Sequence, residues 1–134
     1  MSTTIPDSHR DLLEAPVAIL ATIGPDGRPQ LSALWFFAEG DTVRLSLNTT
    51  RQKTKNLTAR PQVTLFIHDA ANPGRYLEIR GDATVAPDDD YAFADTVSPK
   101  YGGLNFRVMD QPGERRVVVT IEPVRINAVD MGAS

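Results

Sequence analysis

The chain contains no cysteine, which removes disulfides, thiolate catalysis, zinc clusters and cysteine-ligated iron–sulfur centres from consideration. Its two histidines, His9 and His68, sit in no ligand spacing with another donor, so no metal site is expected. No apolar run approaches the roughly 20 residues that span a bilayer, and residues 1–7 lack the basic and apolar regions of a signal peptide. The cytoplasm is therefore the expected address, with no membrane contact. Positive charge is also in short supply, with 14 Lys and Arg against 17 Asp and Glu and a formal net charge of −3. Binding to a nucleic-acid backbone needs an extended basic surface, so nucleic acid is not an expected partner. Gly-x-Ser-x-Gly, GxGxxG and Walker A patterns are missing too, which sets aside the common hydrolase, Rossmann and P-loop sites.

What the 134 residues do contain reads as one domain, 1–134, built mainly of strands. A short helix is expected from Asp7 to Glu14, then an apolar strand over 16–23. The turn Gly24-Pro25-Asp26-Gly27 folds the next strand, 29–37, back as a hairpin partner. Glu39-Gly40-Asp41 turns into Val43–Asn48, so the first three strands are expected to form a meander. Further strands are expected over 63–68 and 75–85, with Leu77, Ile79, Ala83 and Val85 on one face and Gly81 marking a bulge or barrel corner. The acidic run Asp88-Asp89-Asp90 suits the start of a helix reaching Val97. Residues 101–113 read as a Gly- and Pro-punctuated loop, and 115–122 and 125–129 as closing strands. Six or seven strands with short helices and no repeat imply a small antiparallel barrel.

One segment departs from the acidic background. Asn48 to Gln62 carries Arg51, Lys53, Lys55 and Arg60 and no Asp or Glu, which leaves 14 − 4 = 10 basic residues against 17 acidic ones elsewhere. It follows a strictly alternating strand with Val43, Leu45 and Leu47 inward. Thr49 or Thr50 can N-cap a helix running to about Arg60, where Pro61 ends it. Hydroxyls, cations and helix N–H groups would then converge on an anion, and a cofactor phosphate suits that arrangement. A solvated basic helix that merely lacks acids is the competing reading. The strand through Trp35-Phe36-Phe37 poses a second question. Successive side chains point to opposite faces, so Trp35 and Phe36 cannot both fill one interior. One of them is expected at a flat ring ligand or another subunit, against the alternative of an ordinary core with a covering helix.

Four motifs in order, Ala21-Thr22-Ile23-x-Pro25-Asp26-Gly27-Arg28-Pro29-Gln30, Leu34-Trp35-Phe36, Thr50-Arg51-x-Lys53-x-x-Asn56-Leu57 and Arg75-Tyr76-Leu77-Glu78-Ile79-Arg80-Gly81, resemble the pyridoxamine 5'-phosphate oxidase-like split β-barrel superfamily. Within it the chain most resembles the flavin/deazaflavin oxidoreductases of actinobacteria that use coenzyme F420. The resemblance implies a mainly β split barrel and a homodimer with cofactors in clefts at the subunit interface. It assigns the cofactor phosphate to Arg51, Lys53 and Asn56, with Thr50 and Thr54 as supporting hydroxyls. Gln30, Ser32, Ala33 and Leu34 would run along the isoalloxazine-type ring.

The implied activity is that of an F420-dependent oxidoreductase passing a hydride to an electron-poor C=C or C=N bond of a flat hydrophobic small-molecule substrate. Water, Tyr76, Lys100 and Tyr101 are candidate proton sources. Lys100-Tyr101-Gly102-Gly103 reads as a mobile lid. FMN is the alternative cofactor, because it carries the same phosphate. The long F420 tail would reward further cations, for which Lys55, Arg60, Arg75, Arg115 and Arg116 are candidates. A non-enzymatic carrier of a flavin, deazaflavin or haem-like ligand, and a structural dimer whose basic block meets an acidic partner, are the readings outside the enzyme class.

Overall fold

The computed structural model describes residues 3–132. Seven antiparallel strands form one sheet: β1 (Ala18–Ile23), β2 (Pro29–Leu34), β3 (Phe37–Glu39), β4 (Thr42–Asn48), β5 (Gln62–Asp69), β6 (Asn72–Pro87) and β7 (Arg116–Asp130). They lie in the order β2-β1-β5-β6-β7-β4-β3. The two ends, β2 and β3, are not paired with each other, so the curled sheet is a barrel split along one seam. Helix α1 (Gln52–Ala59) joins β4 to β5, and α2 (Ala92–Val97) lies between β6 and β7. Among the described residues no helix is long and apolar enough to cross a membrane.

Period-two alternation sends one side of every long strand into a shared core. Leu20, Val43, Leu45, Leu65, Ile67, Leu77, Ile79, Val119 and Ile121 are all buried there, each Leu or Ile contributing about 1.5–3 kcal/mol relative to exposure. A second, smaller cluster of Ala94, Val97 and Phe106, flanked by Phe37, Tyr91, Phe93 and Tyr101, lies outside that core.

The expected meander does not form. The chain leaves β-structure after Leu34 and re-enters it at Phe37, so β2 and β3 end on opposite edges of the sheet. The cause lies far away in sequence. Phe36 N–H donates to Tyr101 Oη at 2.9 Å, and Phe36 O accepts from Lys100 Nζ at 2.9 Å. Side chains thus satisfy the backbone groups that a strand partner would have taken. Phe36 plugs the core at 1% exposure while Trp35, at 36%, turns to the other side.

Other elements differ from expectation in detail. Asp7–Glu14 is a 3-10 helix, whose period of three puts His9 and Leu12 on one buried face. The two closing strands are one continuous β7, which absorbs the break at Pro123 as a bulge: Val124 is the extra residue, set opposite the Arg80–Gly81 step of β6. Helix α2 starts only at Ala92, after Tyr91 in a left-handed conformation, and Asp88 caps it by accepting from Phe93 N and Ala94 N at 3.0 Å each.

Gly81 sits at the expected bulge for a steric reason: a Cβ there would lie 2.3 Å from Glu122 O. Gly81→Ala should therefore cost about 1–3 kcal/mol of unfolding free energy. An unchanged urea midpoint would show that β6 and β7 do not approach so closely.

Candidate functional site

Asn48, the last residue of β4, turns the strand into the basic helix. Its Oδ1 accepts from Thr50 N–H at 2.8 Å, and its main-chain oxygen accepts from Arg51 N and Thr54 Oγ1. The expected cap by Thr49 or Thr50 is thus corrected. Arg51 occupies the N-cap position without a side-chain cap bond, and the Asn48 carboxamide instead closes the turn that precedes the helix. The same side chain reaches outward, where its Nδ2 donates to Asp110 Oδ1 at 2.8 Å.

Beside this junction lies a cleft of about 640 Å³. One wall is Ala33, Leu34 and Trp35 at the end of β2, and the floor is Ser46, Leu47 and Asn48 of β4. Thr50, Arg51 and Lys53 line the rim, while Phe106, Met109, Asp110, Glu114 and Arg116 close the far side. Trp35 stacks on Tyr101 with centroids 4.3 Å apart and meets Phe106 edge-on at 6.0 Å. The cleft therefore has apolar aromatic walls and a cationic mouth.

The charges at that mouth are unbalanced. Among the described residues Arg51 and Lys53, which line the cleft, form no ion pair, and neither do Lys55, Arg60, Lys100, Arg115 and Arg125, whereas Arg10, Arg28, Arg44, Arg75, Arg80, Arg107 and Arg116 each have a carboxylate. Burial, and then the charge of Arg51, push the Lys53 ammonium below its ordinary pKa. A nearby anion would relieve both effects. The two acidic groups opposite are already committed. Burial pushes Asp110 up, but hydrogen bonds from Arg116, Tyr91 and Asn48 outweigh it and hold the carboxyl below its usual range. Glu114 is held low by Gln111 N–H and by Thr50 Oγ1 at 2.7 Å.

Five residues expected in the site line the cleft: Ala33, Leu34, Thr50, Arg51 and Lys53. Ser32 joins them through its Oγ, which accepts from Lys53 Nζ at 3.4 Å. The remaining three lie elsewhere. Thr54 is buried, its hydroxyl spent on Asn48 O. Asn56 is fully buried, its Nδ2 donating to Thr22 Oγ1 at 3.0 Å and to Gln30 Oε1 at 2.9 Å. Thr22 and Gln30 are cross-strand partners in the β1–β2 hairpin, so Asn56 docks α1 onto that hairpin.

The segment expected as a lid is tied to the barrel by side-chain contacts. Tyr101 Oη lies 2.8 Å from Pro16 O and 3.0 Å from Phe36 O, and Lys100 Nζ sits 3.7 Å over the Phe36 ring. Tyr76 packs against Phe66 on the outer side of β5 and β6 and is not part of the cleft lining. The loop supplies what sequence reasoning missed, namely Phe106, Met109, Asp110 and Glu114. The only signal for them was an isolated Asp and Glu in a Gly- and Pro-rich stretch. Among the described residues no cluster of three or more His, Asp or Glu is placed to hold a metal ion.

A family model described as pyridoxamine 5'-phosphate oxidase matches residues 5–130. Among solved structures, an F420 reductase shares 35% identity over 92% of this chain and 98% of its own, with a TM-score of 0.79. A pyridoxamine 5'-phosphate oxidase candidate from Listeria innocua shares 25% identity over 91% of this chain and 95% of its own, with a TM-score of 0.70. A conserved hypothetical protein from Mycobacterium tuberculosis, 23% identical over 97% of this chain and 88% of its own at a TM-score of 0.76, shares the fold.

The docking role of Asn56 separates it from its neighbours on α1. Asn56→Ala should lower unfolding stability by about 1–3 kcal/mol, because Thr22 and Gln30 lose a buried partner. Chemical denaturation checks this, and an unaltered midpoint would return Asn56 to the ligand-binding set.

Proposed function

The chain belongs to the pyridoxamine 5'-phosphate oxidase family, and on that footing we propose that it is an F420-dependent reductase whose cleft holds the cofactor phosphate on Arg51 and Lys53. The observation that carries this reading is that Arg51 and Lys53 line an aromatic-walled cleft without ion pairs, although six arginines elsewhere and Arg116 within the cleft each have a carboxylate. Ser32 stands beside the two cations as a hydroxyl donor, with Thr50 next to them in the lining, and Thr54, Asn56 and Gln30 hold the helix that presents them. Phosphate oxygens suit such a set because charge-assisted bonds are the strong ones.

When bound, the reduced deazaflavin supplies a hydride for an electron-poor C=C or C=N bond. The protein's part is to orient and to exclude water. Ala33 and Leu34 give the ring a backbone edge to lie along, and Trp35, Leu47, Phe106 and Met109 offer flat apolar contact to a hydrophobic substrate. Tyr101 Oη and Lys100 Nζ are committed to main-chain oxygens, which leaves water as the proton source.

FMN remains the second reading, favoured by a specific observation. Of the five cations considered for a long acidic tail, Arg75 is held by Asp11 and Asp69, Arg116 by Asp110, and Arg60 donates to Ile23 O. Only Lys55 and Arg115 are exposed and without ion pairs. Mixing the protein with reduced F420 and a panel of enones or quinones tests the enzyme reading, with recovery of the oxidised absorbance as the expected result. Tight binding without reoxidation would make the protein a carrier.

A homodimer completes the proposal. The outer face of the β1–β2 hairpin carries Ile19, Ala21, Ile23, Leu31 and Ala33 without a charge, and Leu31 is 67% exposed. A second copy seated there would wall the cleft beside Trp35. Leu31→Glu should convert a dimer to a monomer in sedimentation, and a native protein that sediments as a monomer would contradict this.

Lys53→Ala should weaken cofactor binding by about 1.5–3 kcal/mol with a small effect on folding, since the side chain is only half buried. The anion favours the protonated amine, whose pKa is lowered in the free protein. Native affinity should therefore hold through neutral pH and fall on the alkaline side, and Lys53→Ala should lose that dependence. An unchanged dissociation constant in the variant would refute the phosphate assignment.

A further inference from the structure

The phosphate reading leaves Arg116 unexplained. The residue is only 6% exposed, yet it lines the cleft. Its Nε and Nη2 both donate to Asp110, and its guanidinium lies 5.2 Å from the Phe106 ring centroid. Nη1 has no hydrogen-bond partner among the described residues. Asp110 cannot turn to serve it, because its four acceptor sites are filled: Oδ1 by Asn48 Nδ2 and Arg116 Nη2, and Oδ2 by Tyr91 Oη and Arg116 Nε. A second polar atom nearby also lacks a partner. Ser46 Oγ is buried without a partner, and Ser46 lies two residues before Asn48, which faces Arg116 across the β4–β7 ladder. A buried donor left unmet costs free energy; Ser46 Oγ is such a group, and the unpartnered Nη1 of Arg116 belongs to the lining of the same cleft.

We propose that Arg116, through Nη1, donates a hydrogen bond to a carbonyl oxygen of the molecule seated in the cleft, with the Ser46 hydroxyl as a second donor beside it. The charge balance selects a neutral acceptor. Asp110 already neutralises the guanidinium, and Glu114 adds a further negative charge nearby, so a second anion would be repelled. A carbonyl oxygen needs only the N–H. The anion belongs at Arg51 and Lys53, so the cleft would read its ligand at two chemically different points.

This inference rests on the oxidoreductase reading above. The carbonyl has two possible sources: the dione edge of the cofactor ring, which FMN and F420 share, or a conjugated carbonyl on the acceptor substrate.

The test uses Asp110→Asn/Arg116→Met, a double variant, because truncating Arg116 alone would strand a buried carboxylate. If the double variant does not fold, Arg116→Lys carries the same readout, since lysine keeps a cation for Asp110 but brings no second nitrogen to the cleft. Native and variant proteins are titrated with oxidised FMN and oxidised F420, and KM and kcat for cyclohexenone are measured with the reduced cofactor. A rise of tenfold or more in both cofactor dissociation constants is expected if the ring is the acceptor. Unchanged dissociation constants with a tenfold loss in kcat/KM are expected if the substrate is. Folded variants in which neither quantity moves more than twofold overturn the proposal and leave the phosphate reading standing. A native protein that binds neither cofactor overturns both.

Discussion

A single carboxamide sets the geometry of the cleft. Asn48 ends β4, caps the turn into α1 through Thr50 N–H, receives the Thr54 hydroxyl on its main-chain oxygen, and anchors the loop before β7 through Asp110. Cationic rim, β4 floor and far wall thus meet at one residue that is itself held in the β4–β7 ladder opposite Arg116. A carboxamide is suited to this because it offers acceptor and donor at opposite ends of a rigid group. Aspartate would set a second carboxylate against Asp110, and leucine would leave both directions unmet.

The second constraint is the interruption at Trp35 and Phe36. A continuous strand there would have kept β2 beside β4 and closed off the cleft. Instead Lys100 and Tyr101 take the Phe36 backbone groups, the chain crosses the seam of the barrel, and Trp35 is delivered to the cleft wall with Tyr101 stacked behind it. The same few contacts therefore split the barrel and furnish its binding surface. Rigid support of this kind favours function, since a ligand wall is only as well placed as the groups behind it.

The sequence carried local features well and remote ones poorly. Alternation placed β4, β5 and the core face of β6, the Gly24–Gly27 turn appeared with Gly27 at positive φ, and Gly81 marked a real bulge because the partner backbone approaches too closely for a side chain. The basic block was legible as charge, and three of its expected ligands, Thr50, Arg51 and Lys53, reach the cleft. Thr54 and Asn56 have the same polar character but face inward. Helix phase against a hairpin decides that, and the identity of the hairpin partner, Gln30, is not written next to them. The Asp110–Arg116 pair is fixed by tertiary packing of a loop without periodicity, and so no pattern announced it. The meander was expected because short turns usually join neighbours, whereas contacts 65 residues apart overrode them here.

The account stands or falls on whether the unpaired cations at the cleft mouth hold a cofactor phosphate. The most direct measurement is a side-by-side fluorescence titration of the purified protein with oxidised F420 and with FMN. The account predicts saturable binding of F420 in the low-micromolar range or tighter, with FMN much weaker. Preference for FMN would contradict the deazaflavin assignment, and no saturable binding of either would contradict the site itself.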